Sequence, residues 1–171
     1  MLGFVIRSTR YFKNIFPIKL LYFSLIRSKL EYLSIIWSPY YVCHSLKIER
    51  VQNKFLRYIN FKMNQSAEEV NLEDLRTSQS IPKLSTRRKQ FDCIILFKIL
   101  RNEFNCNDLI SHIQFHVPQY QSRSHSTFYL SISPYNYLMN SPFNRIQRIG
   151  NNSGIDFLNT TKHEIRKTII Q

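Results

Sequence analysis

Residues 19–59 read KLLYFSLIRSKLEYLSIIWSPYYVCHSLKIERVQNKFLRYI, and this part of the chain carries most of its structural information. Apolar side chains recur there at helical spacing, first between Pro17 and Pro39 and then again after Tyr41. Proline is compatible with the first turn of a helix and is common just beyond the end of one. The sequence therefore predicts one helix between the two prolines and a second helix over residues 42–61.

The second predicted helix has two different faces. On a wheel of 100° per residue, four apolar side chains share one arc, namely Ile48, Val51, Phe55 and Ile59. Four cations form a separate ridge, which spans roughly 80° and runs about 15 Å along the helix axis. These cations are Lys47, Arg50, Lys54 and Arg57. A ridge of that length could follow several phosphates of a duplex, but the pattern fits an ordinary solvated flank equally well.

A second group of cations opens another predicted helix, which covers Leu84 to Asn102. Arg87, Arg88 and Lys89 lie near its start, where positive charge opposes the helix dipole. A nearby anion would explain this unfavourable placement, and acidic side chains of the same protein would explain it too. These three residues therefore join the four cations of the ridge as candidate nucleic-acid-binding residues.

The rest of the chain predicts a mainly α protein, a small helical bundle with a loop-rich C-terminal tail. Only three glycines are present, which argues against a tight-turned all-β architecture. From Val117 onward the chain is rich in Ser, Tyr, Asn and Pro, which is typical of loops. We predict a helical domain over residues 1–116 and a loop-rich extension over 117–171. Shorter helices are expected around 3–14, within 62–83, within 105–115, after Pro142, and weakly from Asp156.

The net charge of +13 is concentrated in the N-terminal third of the chain. Residues 1–62 contain eleven Lys or Arg side chains against two acids. Such an excess attracts polyanions, with nucleic acid as the first candidate and an anionic membrane surface as the second. The most apolar run, residues 15–26, contains Pro17 and Lys19 and is too short to span a bilayer. We therefore expect nucleic acid as the partner, with no membrane.

No arrangement of catalytic or metal-binding residues is recognisable. Glu68, Glu69, Glu73 and Asp74 form one acidic cluster, and it fits a solvated linker better than a metal site. His112 and His116 share a helix face. Zinc would also need Cys106 and Cys93, and the usual paired ligand spacing is missing. The sequence gives no support to an independent enzyme and predicts no metal site in this chain.

Three aromatic residues near the end of the first predicted helix allow two interpretations. Trp37, Tyr40 and Tyr41 could stack on nucleic-acid bases. A Trp before a Pro at the end of an apolar helix is more often an anchor in a protein core. The sequence leaves both interpretations open.

The motif in residues 21–57 resembles the segment that follows the polymerase palm in reverse transcriptases of LINE-type, Jockey-like non-LTR retrotransposons. That family's pattern is roughly LY-x-S-L-x-R-x-x-LEY-x-S-x-x-W-x-PY followed by IE-x-VQ-x-x-FLR. The stretches LSTRRKQFDCIILFKILRNEFNC, ISHIQFHVP and NSPFNRI are similar to later parts of the same proteins. The positions that match in the main motif are Leu21, Tyr22, Ser24, Leu25, Arg27, Leu30, Glu31, Tyr32, Ser34, Trp37, Pro39, Tyr40, Ile48, Glu49, Val51, Gln52, Phe55, Leu56 and Arg57.

The resemblance implies a thumb-like region that holds an RNA–DNA template–primer duplex through its phosphates. The family is an RNA-directed DNA polymerase, whose palm carries an aromatic-x-Asp-Asp motif that binds Mg²⁺. This sequence has no Asp-Asp pair. We therefore expect a truncated fragment that lacks the palm and the endonuclease, is inactive alone, and contains no cofactor of its own.

Two further expectations accompany the resemblance. A reverse transcriptase palm domain is a second possible partner, and the family implies the nucleus or the cytoplasm as the location. The alternative function is a helical remnant that binds another protein and has no role with nucleic acid.

Overall fold

The computed structural model describes residues 1–64, 71–117, 120, 126–157 and 159–161. The described chain is mainly helical, which confirms the predicted fold class. Its helices are α1 (Leu2–Ser8), α2 (Ile15–Tyr22), α3 (Ser28–Glu31), α4 (Ser34–Trp37), α5 (Val42–Asn64), α6 (Leu72–Gln79), α7 (Leu84–Leu100), α8 (Asn107–Ser111), α9 (Asn136–Met139) and α10 (Pro142–Ser153).

The chain is divided into two compact units. The first contains Met1–Ser34 and Ser38–Arg87, and the second contains Ile35–Trp37 and Arg88–Gln171. The division falls inside α7 and does not coincide with the domain boundary predicted after residue 116.

The segment between Pro17 and Pro39 is more broken than the sequence predicts. The Asn14 side chain accepts a hydrogen bond from the Phe16 amide at 2.9 Å and starts α2. A single π-helical turn, Phe23–Arg27, then joins α2 to α3. Leu33 adopts a left-handed conformation with φ 48°, which ends the helical path before α4. The spacing of apolar residues does not predict these interruptions, because the same spacing continues through the π-helical turn and past Leu33.

The core of the first unit is built around a ring pair. Tyr22 and Phe55 stack with their centroids 3.8 Å apart and their planes 8° from parallel. This contact fastens the end of α2 to the middle of α5. The other buried apolar side chains of this core are Val5, Ile18, Ile26, Leu56, Ile59, Leu75 and Ile81.

The buried face of α5 is rotated from the predicted arc. Phe55 and Ile59 are buried as expected, but Ile48 and Val51 are only half-buried. Gln52 and Leu56 are fully buried instead. Burial of Gln52 is possible because its amide has partners: it accepts from the Tyr22 hydroxyl at 3.1 Å and donates to the Pro82 carbonyl at 2.8 Å.

The second unit has its own core, built from the later part of α7, from α10 and from the chain between them. Arg145 on α10 donates to both oxygens of the buried Asp92 carboxylate, at 3.1 and 3.3 Å, and to the Ile35 carbonyl. Asn151 bonds the backbone of Phe128 through its side-chain oxygen and nitrogen, at 2.8 and 2.9 Å. These contacts hold the irregular chain around Phe128 against α10.

The C-terminal region is partly helical, as predicted. Pro142 occupies the first turn of α10, and Gly154 ends it in a left-handed conformation with φ 62°. Residues 155–157 and 159–161 are not helical, so the weak helix expected from Asp156 does not begin there. The remainder of that predicted helix lies outside the described residues.

Candidate nucleic-acid interface

The four cations of the ridge lie together on the exposed side of α5. Lys47, Arg50, Lys54 and Arg57 are all exposed. At 100° per residue their arc lies almost opposite the face that contains the buried Gln52 and Leu56. The helix runs unbroken from Val42 to Asn64, so the four Cα positions span about 15 Å on one rigid element.

Two acids of the first unit, Glu31 and Glu73, are engaged by cations outside the ridge. Glu31 pairs with Arg27 at 2.7 Å and with Arg87, and Glu73 pairs with Lys83 at 2.8 Å. Within the described residues, no ridge cation forms an ion pair with a carboxylate. The positive charge of the ridge is therefore directed to solvent.

Glu49 shows how an acid on α5 itself stays away from the ridge. Its carboxylate is buried on the inner side of the helix, where it accepts from the Ser85 amide at 2.7 Å. The Arg76 guanidinium approaches its other oxygen to 3.8 Å. This acid is thus fixed toward the start of α7, on the side of α5 away from the four exposed cations.

A groove lies beside the ridge in the first unit. Its volume is about 580 Å³, and the exposed cations Lys29, Arg50 and Lys54 line it. The apolar lining comes from Leu2, Leu25, Ile26, Leu30 and Val51. The ridge is therefore bordered on one flank by an apolar surface.

The second group of predicted site residues is arranged differently. Arg87 is half-buried and donates to both oxygens of Glu31, with 3.0 Å between Nη2 and Oε2. Arg88 is buried, and its charge acts on Asp92 one turn later in α7. Only Lys89 of this group is exposed. Acids of the same protein thus account for the charge placement at the start of α7, and the burial of Arg87 and Arg88 argues against phosphate contacts by them.

The titration of Glu31 reflects its two arginine partners. Burial alone would raise the pKa of this carboxyl, but hydrogen bonds from Arg87 and Arg27 outweigh burial and hold the pKa below its ordinary value. Glu31 is therefore charged at neutral pH, which keeps Arg87 in place.

The three aromatic residues singled out in the sequence are all partly exposed. Trp37 is 39% exposed, so more than half of its surface is covered by the protein. Tyr40 and Tyr41 are 45% and 51% exposed and lie just before α5. Their ring centroids are 4.0 Å apart.

The residues considered for metal binding do not come together. Cys93 is fully buried, and burial raises the pKa of its thiol to about 12. His112 stacks on Phe143 with 4.8 Å between ring centroids. Glu68 and Glu69 lie outside the described residues. In the part of the chain that the structure covers, no three His, Cys, Asp or Glu side chains form a metal-binding group.

No helix within the described ranges has both the length and the apolar character that crossing a bilayer requires. No protein-family model, no curated protein and no solved structure matches the chain. The likeness to retrotransposon reverse transcriptases therefore rests on the sequence motif in residues 21–57.

Proposed function

We propose that the first unit binds a nucleic-acid duplex through the phosphate contacts of the α5 ridge, as the thumb of a LINE-type reverse transcriptase would hold its RNA–DNA template–primer. The observation that carries the proposal is the position of Lys47, Arg50, Lys54 and Arg57. They are exposed on one side of one helix, while the acids Glu31, Glu49 and Glu73 are held by other groups.

Physical chemistry supports this arrangement as a duplex site. Cations that contact phosphates release condensed counterions, and this release supplies most of the affinity in sequence-independent binding. A helix fixes the backbone positions of its cations, so only their side chains lose freedom when they contact the regular sugar–phosphate backbone. Contacts to phosphates carry no direct sequence information, so we expect little sequence preference.

The test compares two variants that remove the same charges from different places. The ridge variant replaces Lys47, Arg50 and Arg57 with Gln. The control variant replaces Arg7, Arg10 and Lys13 with Gln, and these three are also exposed and belong to the first unit. Both variants lose two Arg and one Lys, so their net charges are equal.

Affinity for a blunt RNA–DNA hybrid is measured by fluorescence anisotropy at low salt. The ridge variant is expected to lose about tenfold or more in affinity, whereas the control loses much less. If the two variants lose the same affinity, the hybrid is attracted by the overall charge and not by the ridge, and the proposal is overturned.

The second candidate function is docking of a protein partner, and the groove beside the ridge favours it. Leu25, Leu30 and Val51 supply apolar contacts there, and Lys29 supplies a charge for an acidic partner. A palm domain is the partner that the resemblance implies. If this function holds, the isolated protein self-associates in sedimentation velocity, and Val51→Ser, which adds no charge beside Arg50 and Lys54, makes it monomeric without changing its affinity for the hybrid.

A further inference from the structure

The ring pair before α5 extends the candidate interface beyond the ridge. Tyr40 and Tyr41 are held close together, with 4.0 Å between centroids and 40° between ring planes. The Tyr41 ring also meets the His44 ring edge-on, with 6.1 Å between centroids. About half of each tyrosine remains exposed.

The local backbone fixes these rings to the helix that carries the ridge. The Tyr41 carbonyl accepts the Ser45 amide at 3.2 Å, which is the first hydrogen bond of α5. Pro39 restricts the backbone just before the pair. The side-chain hydrogen bond between the two residues raises the pKa of Tyr40, because it favours the protonated phenol.

The ring cluster lies just before the first cation of the ridge along the chain. His44 lies three residues before Lys47 on α5, so the two side chains are neighbours on the helix surface. Lys47 is six positions after Tyr41, which corresponds to about 9 Å along the helix axis. That is roughly two to three nucleotide steps at 3.4 Å each.

We propose that Tyr40 and Tyr41 form a stacking platform for unpaired bases of a strand that continues from the duplex held by Lys47, Arg50, Lys54 and Arg57. The preferred ligand is then a hybrid with a single-stranded extension. This inference rests on the proposed function, because the platform receives a strand that the ridge has already positioned. Base stacking on an exposed aromatic ring needs no particular sequence, since every base presents a π-face.

The test uses three probes that share one RNA–DNA hybrid. The first is blunt, the second carries a short extension of unpaired deoxyadenosines, and the third carries an extension of equal length made of abasic sites. The abasic probe keeps the additional phosphates and removes the bases. We expect the deoxyadenosine extension to raise wild-type affinity about fivefold or more over the abasic extension.

Variants then locate the effect. Changing both residues, Tyr40→Ala and Tyr41→Ala, is expected to abolish the gain and to leave affinity for the blunt hybrid unchanged. The pair Tyr40→Phe and Tyr41→Phe keeps the gain, because it keeps the rings. Tyr11→Ala is the matched control, since Tyr11 is 86% exposed in the same unit and away from α5 in sequence. Unfolding midpoints establish that the variants remain folded.

The outcomes separate the two proposals. If the blunt hybrid binds through the ridge and the deoxyadenosine and abasic extensions are equivalent, the platform is overturned and the proposed function stands. If the alanine pair keeps the gain, or alters only self-association, the rings do not stack on bases and the platform is again overturned. If the blunt hybrid binds the ridge variant as tightly as the wild-type protein, both proposals fail.

Discussion

Gln52 is a fully buried amide on the inner face of α5. Its oxygen accepts from the Tyr22 hydroxyl, and its nitrogen donates to the Pro82 carbonyl. A buried polar group is tolerated only when it is paired, because leaving it unpaired costs its full desolvation energy. Gln52 therefore links α2, α5 and the loop before α7, and the orientation of the ridge depends on that link.

The first prediction concerns this amide. Gln52→Leu leaves the Tyr22 hydroxyl and the Pro82 carbonyl without their partner and should lower the free energy of unfolding by about 2–4 kcal/mol. Adding Tyr22→Phe should recover part of the loss, because one of the orphaned groups is then removed. Urea unfolding of both single variants and the double variant gives the coupling energy. Strict additivity would mean that the hydrogen bond between the two side chains contributes nothing.

The second prediction concerns Glu31 and pH. Its folded-state pKa lies below the ordinary value of 4.5, so its contribution to stability is present above pH 4.5 and is lost as the pH falls through the folded-state pKa. Glu31→Gln should cost about 1–3 kcal/mol at neutral pH. It should also flatten the decline in unfolding free energy at acidic pH. Parallel pH profiles for the wild-type protein and the variant would show that the pair with Arg87 and Arg27 has no net effect.

Among the helices, α5 and α7 show most clearly what sequence can predict. The sequence predicts both close to their observed bounds, because a long segment with a recurring apolar face is a strong signal of a helix. The sequence does not predict the break at Leu33. A leucine in the left-handed conformation does not change the spacing of apolar residues, and no glycine marks the position. The burial of Gln52 was missed for a related reason: a polar residue is assigned to the surface until its partners in other helices are known.

The candidate site also contains residues whose exposure the sequence predicts and residues whose burial it does not. The exposure of Lys47, Arg50, Lys54 and Arg57 follows from the geometry of one helix and agrees with the sequence pattern. The partial burial of Arg87 depends on its tertiary contact with Glu31, and helical periodicity carries no information about such a contact.

The third prediction concerns α10 and the packing of the second unit. A Cβ on Gly150 would lie 2.7 Å from Leu96 Cδ2 and 2.9 Å from Phe128 Cε2. Alanine normally stabilises a helix interior relative to glycine, but here overpacking should dominate, and Gly150→Ala should cost about 1–3 kcal/mol. Gly3→Ala is the control, because no atom lies within 4 Å of its added Cβ. Thermal unfolding that ranks the two variants in the reverse order would contradict this packing.

For the molecule as a whole, the effect of the net charge of +13 on binding depends on where the charged side chains lie. Some of the positive side chains form ion pairs within the protein. Arg27 and Arg87 pair with Glu31, and Arg145 pairs with Asp92. The ridge on α5 is different, since its cations face solvent on a helix fixed by the core of the first unit. A duplex-binding role therefore depends on this ridge and should survive loss of equal charge elsewhere.

The salt dependence of hybrid binding tests that claim most directly. The dissociation constant for the blunt RNA–DNA hybrid is measured over a range of salt concentrations for the wild-type protein, the ridge variant and the Arg7, Arg10 and Lys13 control. Each phosphate contact contributes about 0.9 to the slope of log affinity against log salt on B-form DNA, so three lost contacts should reduce the slope by roughly 3. We predict that reduction for the ridge variant and a nearly unchanged slope for the control. Indistinguishable slopes for the two variants would contradict a phosphate-binding ridge on α5.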